Sequence, residues 1–307
     1  MRKAWLALQI VLAAVVLYFV GTSMARNWAS IRGSAAVIVV DPVALAVSAG
    51  VTLATYALLI SAWRAVLLGW GERLAYAQAA RIWCLSNLAR YIPGRVWQIA
   101  GMAAMAQQAG VSPWAAGGSA VVVQLLAVAT GALVTGLAAP HAGRPLLIGG
   151  AGVAAAAITA TLAWPRTTQW LSAGISRLAG RPLRLEPVAP GPLLLSALVT
   201  TLAWLAYGLT LFFLVRGILG TSALTLGTAI GAFAASYLVG LLLVFTPGGL
   251  GAREGVIYVL LTPSLGAAGA FVVMVSSRVL MTATEILAAL VTLPLGGRST
   301  IRAAGGS

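Results

Sequence analysis

Thr246-Pro247-Gly248-Gly249-Leu250-Gly251-Ala252-Arg253-Glu254-Gly255 is a helix-breaking run followed at once by a cation and an anion. It lies in the middle of 222–264, a stretch that otherwise reads as membrane-embedded and that carries a further break at Pro263. Proline and glycine end helices. Irregular backbone at membrane depth is tolerated only where it is buried in protein or faces a wet cavity. The stretch is therefore expected to be a re-entrant hairpin: a helix in, a Pro-Gly tip, a short helix back. Gly248-Gly249-x-Gly251 suits such a tip, since glycine permits a sharp turn and lets backbone amides approach a ligand at a helix start.

A second stretch, 74–112, has the same layout around Asn87-Leu88-Ala89-Arg90-Tyr91-Ile92-Pro93-Gly94-Arg95-Val96-Trp97-Gln98. Comparing 64–133 with 216–285 aligns Arg64 with Arg216, Ser86 with Ser236, Pro93-Gly94 with Pro247-Gly248, and Pro113 with Pro263. The distance from the arginine to the second proline is 49 residues in one copy and 47 in the other. A small-residue segment opens the next span in each: Ala115-Ala116-Gly117-Gly118 and Ala267-Ala268-Gly269-Ala270. Full spans are expected at 4–23, 43–63, 115–138, 145–164, 192–215 and 266–292, each an apolar run of about the length that crosses a bilayer. Trp63, Trp114 and Trp164 fall at span ends, where amphipathic rings prefer to sit. Three crossings separate the span at 43–63 from its counterpart at 192–215, so the two copies enter the membrane from opposite sides.

The expected fold is thus all-α and integral to the membrane. It has about six full spans plus two re-entrant Pro-Gly hairpins, or eight spans if the hairpins are counted differently. It forms a single transmembrane domain over 1–307, with repeat halves of about 64–138 and 216–292 in inverted topology. Such repeats build transporters whose site lies near the midplane between broken helices.

Composition agrees. Of 307 residues, 61% are apolar and 8% charged, against about 25% charged in a soluble domain; mean hydropathy is +0.99. The net charge of +14 comes from arginines that mostly occupy short loops between apolar runs, which argues against nucleic-acid binding. With the N-terminus inside, thirteen basic residues fall on the cytoplasmic side and five outside. The positive-inside rule then places both termini in the cytoplasm of a cell inner membrane, with the loop 165–191 on the same side. The single Cys84 and single loop histidine, His141, provide no disulfide and no metal site, and no cofactor is expected.

A charge near the bilayer centre costs about 2.5–3.5 kcal/mol even on a lenient scale, so it persists when it pairs or works. Arg90 and Arg95 bracket the first tip, Arg253 and Glu254 follow the second, and Arg278 and Glu285 lie on the last span. Arg253 and Glu254 are adjacent and point about 100° apart on a helix. Arg278 and Glu285 are seven residues, about 10.5 Å, apart along the axis. Each needs a partner elsewhere: Glu254 with Arg278, and Glu285 with Arg90 or Arg95. Four Arg against two Glu leave a cationic surplus suited to phosphate.

Ala89-Arg90-Tyr91-Ile92-Pro93-Gly94-Arg95-Val96-Trp97-Gln98 and Pro247-Gly248-Gly249-Leu250-Gly251-Ala252-Arg253-Glu254 resemble the two signatures of the lysylphosphatidylglycerol synthase/flippase membrane-domain family. The resemblance covers about 1–295. It implies a flippase-like fold in the cytoplasmic membrane, with roles for Arg90, Pro93, Gly94, Arg95, Gly248, Gly249, Gly251, Arg253 and Glu254. The family's fused members carry a cytosolic aminoacyl-transferring domain. This chain stops at Ser307, shortly after the last span, so aminoacyl transfer by it alone is not expected.

The expected function is translocation of an anionic or phosphate-bearing lipid. Its substrate-binding set is Arg90, Arg95, Gln98, Arg253, Glu254, Arg278 and Glu285, framed by tips at Pro93, Gly94, Pro247, Gly248, Gly249 and Gly251. Expected ligands are membrane lipids, either phospholipid or polyprenyl-phosphate-linked. A second copy of the chain or a lipid-modifying enzyme is the expected class of protein partner. The alternative is a non-transporting partner subunit of a lipid-modifying or lipid-linked-glycan enzyme. An enzyme is not expected, since no nucleophile–His–acid set and no loop carboxylate pair is present.

Overall fold

The computed structural model describes residues 38–91, 96–138, 164–179, 187–242 and 251–296. The expected span 4–23, nearly all of 145–164, His141, and the tip residues Pro93, Gly94, Arg95, Pro247, Gly248 and Gly249 lie outside them. The described chain is helical, with no strand among the described residues.

In order, the helices are α1 (Pro42–Gly69), α2 (Tyr76–Leu88, closed by a 3-10 turn Ala89–Tyr91), α3 (Val96–Gln108), α4 (Pro113–Ala138), α5 (Pro165–Ala179), α6 (Pro190–Leu219), α7 (Leu226–Leu242) and α8 (Ala252–Thr292, followed by a 3-10 turn Leu293–Gly296). Their ends follow from local chemistry. Asp41 accepts hydrogen bonds from the Val43 and Ala44 amides and Pro42 opens the first turn of α1, satisfying donors that a helix start leaves free. Pro190 opens α6, and Gly220 closes it in the left-handed region at φ 59°.

α1, α4, α6 and α8 are each long and apolar enough to cross a bilayer. They contain the expected spans 43–63, 115–138, 192–215 and 266–292. α2 and α3, at 13 residues each, reach only about 20 Å, short of the roughly 30 Å hydrocarbon layer; a pair that enters and returns fits that length. Exposed Leu194, Leu198, Leu202 and Leu205 make one stripe on α6, and Val275, Val279, Ile286 and Leu290 another on α8. Such stripes would be a liability in water and are the lipid-facing surface of a membrane protein.

The interior is largely apolar but carries polar contacts between helices. Ser48 donates to the Thr210 carbonyl at 2.8 Å and Thr52 to the Thr210 hydroxyl at 3.2 Å, tying α1 to α6. These helices run antiparallel: Leu45 meets Gly217, and Gly69 meets Pro192. An odd number of crossings between them requires that relation.

The two halves also pack reciprocally. α2, which enters in the first half, packs on α8, the last span of the second, and α7 packs on α4 in return. Ser86 and Ser236, aligned in the sequence, take the same local geometry. Each is buried and donates to the carbonyl three residues back, on Trp83 and Phe233 respectively.

Four details differ from the sequence reading. Arg64 and Arg216 lie within the C-terminal parts of α1 and α6 instead of after them. Arg64 meets the Leu74 carbonyl at 3.0 Å and the Tyr76 ring, so its charge need not end the helix. Trp63 is no interfacial anchor; it is fully buried, and its indole N–H donates to Ser119 on α4 at 2.9 Å. Pro263 does not open a span, in contrast to Pro113; it stays inside α8, and the chain turns at Gly266 (φ 69°, ψ 168°), a conformation almost confined to glycine. Finally, the loop 165–191 contains α5, whose Arg166, Trp170 and Arg177 share one exposed side.

Candidate functional site

Gly266 makes α8 a hairpin. On one straight helix Glu254 and Arg278 would be separated by about 36 Å, yet Arg278 Nη1 lies 3.4 Å from Glu254 Oε1. The arms 252–265 and 267–292 therefore fold back on each other, and Gly266 is midway between the paired residues. The second carboxylate oxygen of Glu254 accepts from the Gly251 amide at 2.8 Å, closing the start of α8 with Gly251 at φ 85°. Glu254 thus meets both the helix dipole and a cation, as a half-buried carboxylate at a helix start requires.

The other expected pair forms between halves. Arg90, in the turn that closes α2, donates Nη1 to Glu285 Oε1 on α8 at 2.8 Å, with Glu285 only 4% exposed. Its Nη2 donates to Asn87 Oδ1 at 2.7 Å. Gln98 on α3 donates its amide to the same oxygen. Two donors on Oδ1 fix the orientation of the Asn87 amide. That leaves Asn87 Nδ2 and Arg90 Nε buried without a hydrogen-bond partner among the described residues.

Arg253 behaves differently from the other two cations. Its residue is 7% exposed, and its guanidinium lies 4.9 Å from the Phe233 ring centroid and 5.2 Å from that of Tyr237. No carboxylate among the described residues pairs with it. A cation stacked on aromatic faces gains about 1–2 kcal/mol when desolvated, which leaves its in-plane donors for another group.

Asn87, Arg90 and Gln98 of that network line a cavity of about 80 Å³, walled by α1, α2, α3, α4, α6 and α7. Asn87, Arg90, Gln98, Gln124, Tyr207 and Tyr237 supply its polar wall. The lining positions 120–127 and 200–207 lie near the middle of α4 and α6, so the cavity is near mid-membrane. Asn87 and Tyr237 each follow one of the matched serines by one residue, and both line it.

Of the expected site residues, the structure brings Arg90, Gln98 and Glu285 into one network and joins Glu254 to Arg278. Arg253 approaches the cavity through Tyr237, and Gly251 starts α8. Arg95 and the Pro-Gly tips lie outside the described residues. Asn87, Gln124, Tyr207 and Tyr237 are additions that charge-based reasoning missed; the repeat alignment at Ser86 and Ser236 is the one signal that could have found Asn87 and Tyr237, each one residue beyond a matched serine. No group of three or more His, Cys, Asp or Glu that could hold a metal occurs among the described residues.

Comparison with known proteins agrees with this architecture. No curated protein matches the chain. The family model for the lysylphosphatidylglycerol synthase TM region matches residues 6–289, nearly the whole sequence and both halves of the arrangement just described. The chain belongs to the lysylphosphatidylglycerol synthase transmembrane-region family.

Proposed function

We propose that this protein moves an anionic, phosphate-bearing lipid across the cytoplasmic membrane, engaging the head group between its two helix hairpins, with both termini inside the cell. The observation that carries the reading is Arg253: a buried guanidinium without a carboxylate partner among the described residues, stacked beside a mid-membrane cavity whose wall holds two orphaned donors. A buried cation without an anion is costly, and a phosphate oxygen accepts what Arg253, Arg90 Nε and Asn87 Nδ2 have left to donate. Helix ends and broken helices at midplane are where membrane carriers hold charged substrates.

The test is reconstitution into proteoliposomes with fluorescent phosphatidylglycerol in one preparation and fluorescent diacylglycerol in another. Protein-dependent exposure of the phosphatidylglycerol to an external quencher is expected, and it should fall at least about tenfold in Arg253→Gln. Loss of that exposure in wild-type protein that still binds the lipid would instead favour a non-transporting partner subunit. Equal movement of both lipids would remove the charge argument.

A further inference from the structure

The cavity wall carries more than a phosphate needs. Besides Asn87 and Arg90 with their orphaned donors, Gln124, Tyr207 and Tyr237 line it, and the side-chain polar groups of these three make no hydrogen bond to a described residue. Gln98 spends its amide N–H on Asn87 and keeps its carbonyl oxygen. The unspent groups are thus both donors and acceptors. Phosphate oxygens would use only the donors. An ammonium would use only the acceptors. A hydroxyl donates and accepts at once and satisfies both.

Charge points the same way. The chain has five acidic residues. Asp41 caps α1. Glu72 accepts from the amide and hydroxyl of Ser112. Glu254 and Glu285 pair with Arg278 and Arg90. Glu186 lies outside the described residues, next to Pro187, whose carbonyl is held by Trp70 near the end of α1. No carboxylate is among the described residues of the cavity wall. Aromatic faces, the other way to hold an ammonium, are partly taken: Arg253 covers the Tyr237 ring, and Tyr207 stacks on Phe233 at 4.6 Å. A second cation would also meet Arg90 in the wall, with Arg253 behind the Tyr237 ring.

We propose that the cavity selects a lipid whose phosphate bears a neutral, hydroxyl-carrying head, a glycerol or a sugar, and rejects one whose head ends in an ammonium. This rests on the anionic-lipid reading and narrows it to a substrate class.

The test uses the full chain, purified in detergent and titrated with defined lipids while binding is read by native mass spectrometry. The panel is phosphatidylglycerol, phosphatidylinositol, phosphatidic acid, phosphatidylethanolamine, lysylphosphatidylglycerol and diacylglycerol. The glycerol and inositol lipids should bind about tenfold tighter than phosphatidic acid, and the two ammonium lipids weaker than phosphatidic acid. In Gln124→Leu the advantage of phosphatidylglycerol over phosphatidic acid should shrink to within about twofold; an unchanged advantage would overturn the proposal. If that variant does not fold, the wild-type panel decides. Lysylphosphatidylglycerol binding as tightly as phosphatidylglycerol would overturn the proposal, as would phosphatidic acid matching phosphatidylglycerol, while either result leaves the anionic-lipid reading standing. Binding of diacylglycerol equal to that of phosphatidic acid would overturn both.

Discussion

Glu254 and Arg253 are neighbours in sequence with opposite energetic roles, and substitutions should separate them. Glu254→Gln keeps an oxygen for the Gly251 amide and removes the charge facing Arg278. Breaking a buried pair costs about 3–5 kcal/mol; Arg278 is 20% exposed, so the loss should fall at or below the low end, read as a lower melting temperature in detergent. A double-mutant cycle with Arg278→Gln should return a coupling of about 1 kcal/mol or more, whereas a cycle of Glu254 with Arg90 should return about zero. Arg253 makes no ion pair with a described residue, so Arg253→Lys should cost no more than the roughly 1–2 kcal/mol of its ring stacking, a modest drop in melting temperature. It should still lower lipid movement, because lysine keeps the charge and loses the planar fork and the ring stacking. A large loss of stability in Arg253→Lys, with lipid movement intact, would assign it a structural role.

At the scale of elements, two glycines set the geometry that joins these residues. Gly266 holds a φ/ψ pair that other residues almost never adopt, so Gly266→Ala should cost about 1–3 kcal/mol and pull Glu254 away from Arg278. Gly208 permits α6 and α7 to touch, since a Cβ there would lie 2.5 Å from the Ile230 Cα. Overpacking of that kind costs about 1–3 kcal/mol. Gly255 has open space around its Cα and lies inside α8, so Gly255→Ala should be neutral or slightly stabilising. Thermal melts of the three variants check this order, and equal effects would contradict it. Much of this framework was legible in the sequence. Charges are so rare in apolar runs that each one demanded a partner, and parity restricted where partners lay. The helix ends at Arg64 and Arg216 were misplaced because a local carbonyl or ring can hold an arginine within a helix. The corner at Gly266 was assigned to Pro263, because a proline marks a break in sequence more visibly than one glycine among many. Gln124 and Tyr207 carry no local signal at all; only the packing of six helices brings them to one cavity.

Over the whole molecule, the reciprocal packing of α2 on α8 and α7 on α4 makes each half the support of the other, and Arg90–Glu285 is an ion pair across that boundary. On the proposed function, one half would rock against the other around a fixed site, as carriers built from inverted repeats do, and the orientation in the membrane would decide which hairpin faces the cytoplasm. The arginine asymmetry predicts which. α5 and the turn after Gly220 flank α6, whose 30 residues span about 45 Å, so they must emerge on opposite sides. Trp170, 85% exposed on α5 beside Arg166 and Arg177, should lie in the cytoplasm, and exposed Ser222 should lie outside. In a Cys84→Ser background, Ser222→Cys should react with a membrane-impermeant maleimide in intact cells. Trp170→Cys should react only after the membrane is opened. Cys84 is buried, so its removal should disturb neither site. The reverse pattern would invert the molecule and exchange the roles of the two hairpins, leaving the fold unchanged. Labelling of both positions from one side would contradict α6 as a span and, with it, the placement of the cavity at mid-membrane.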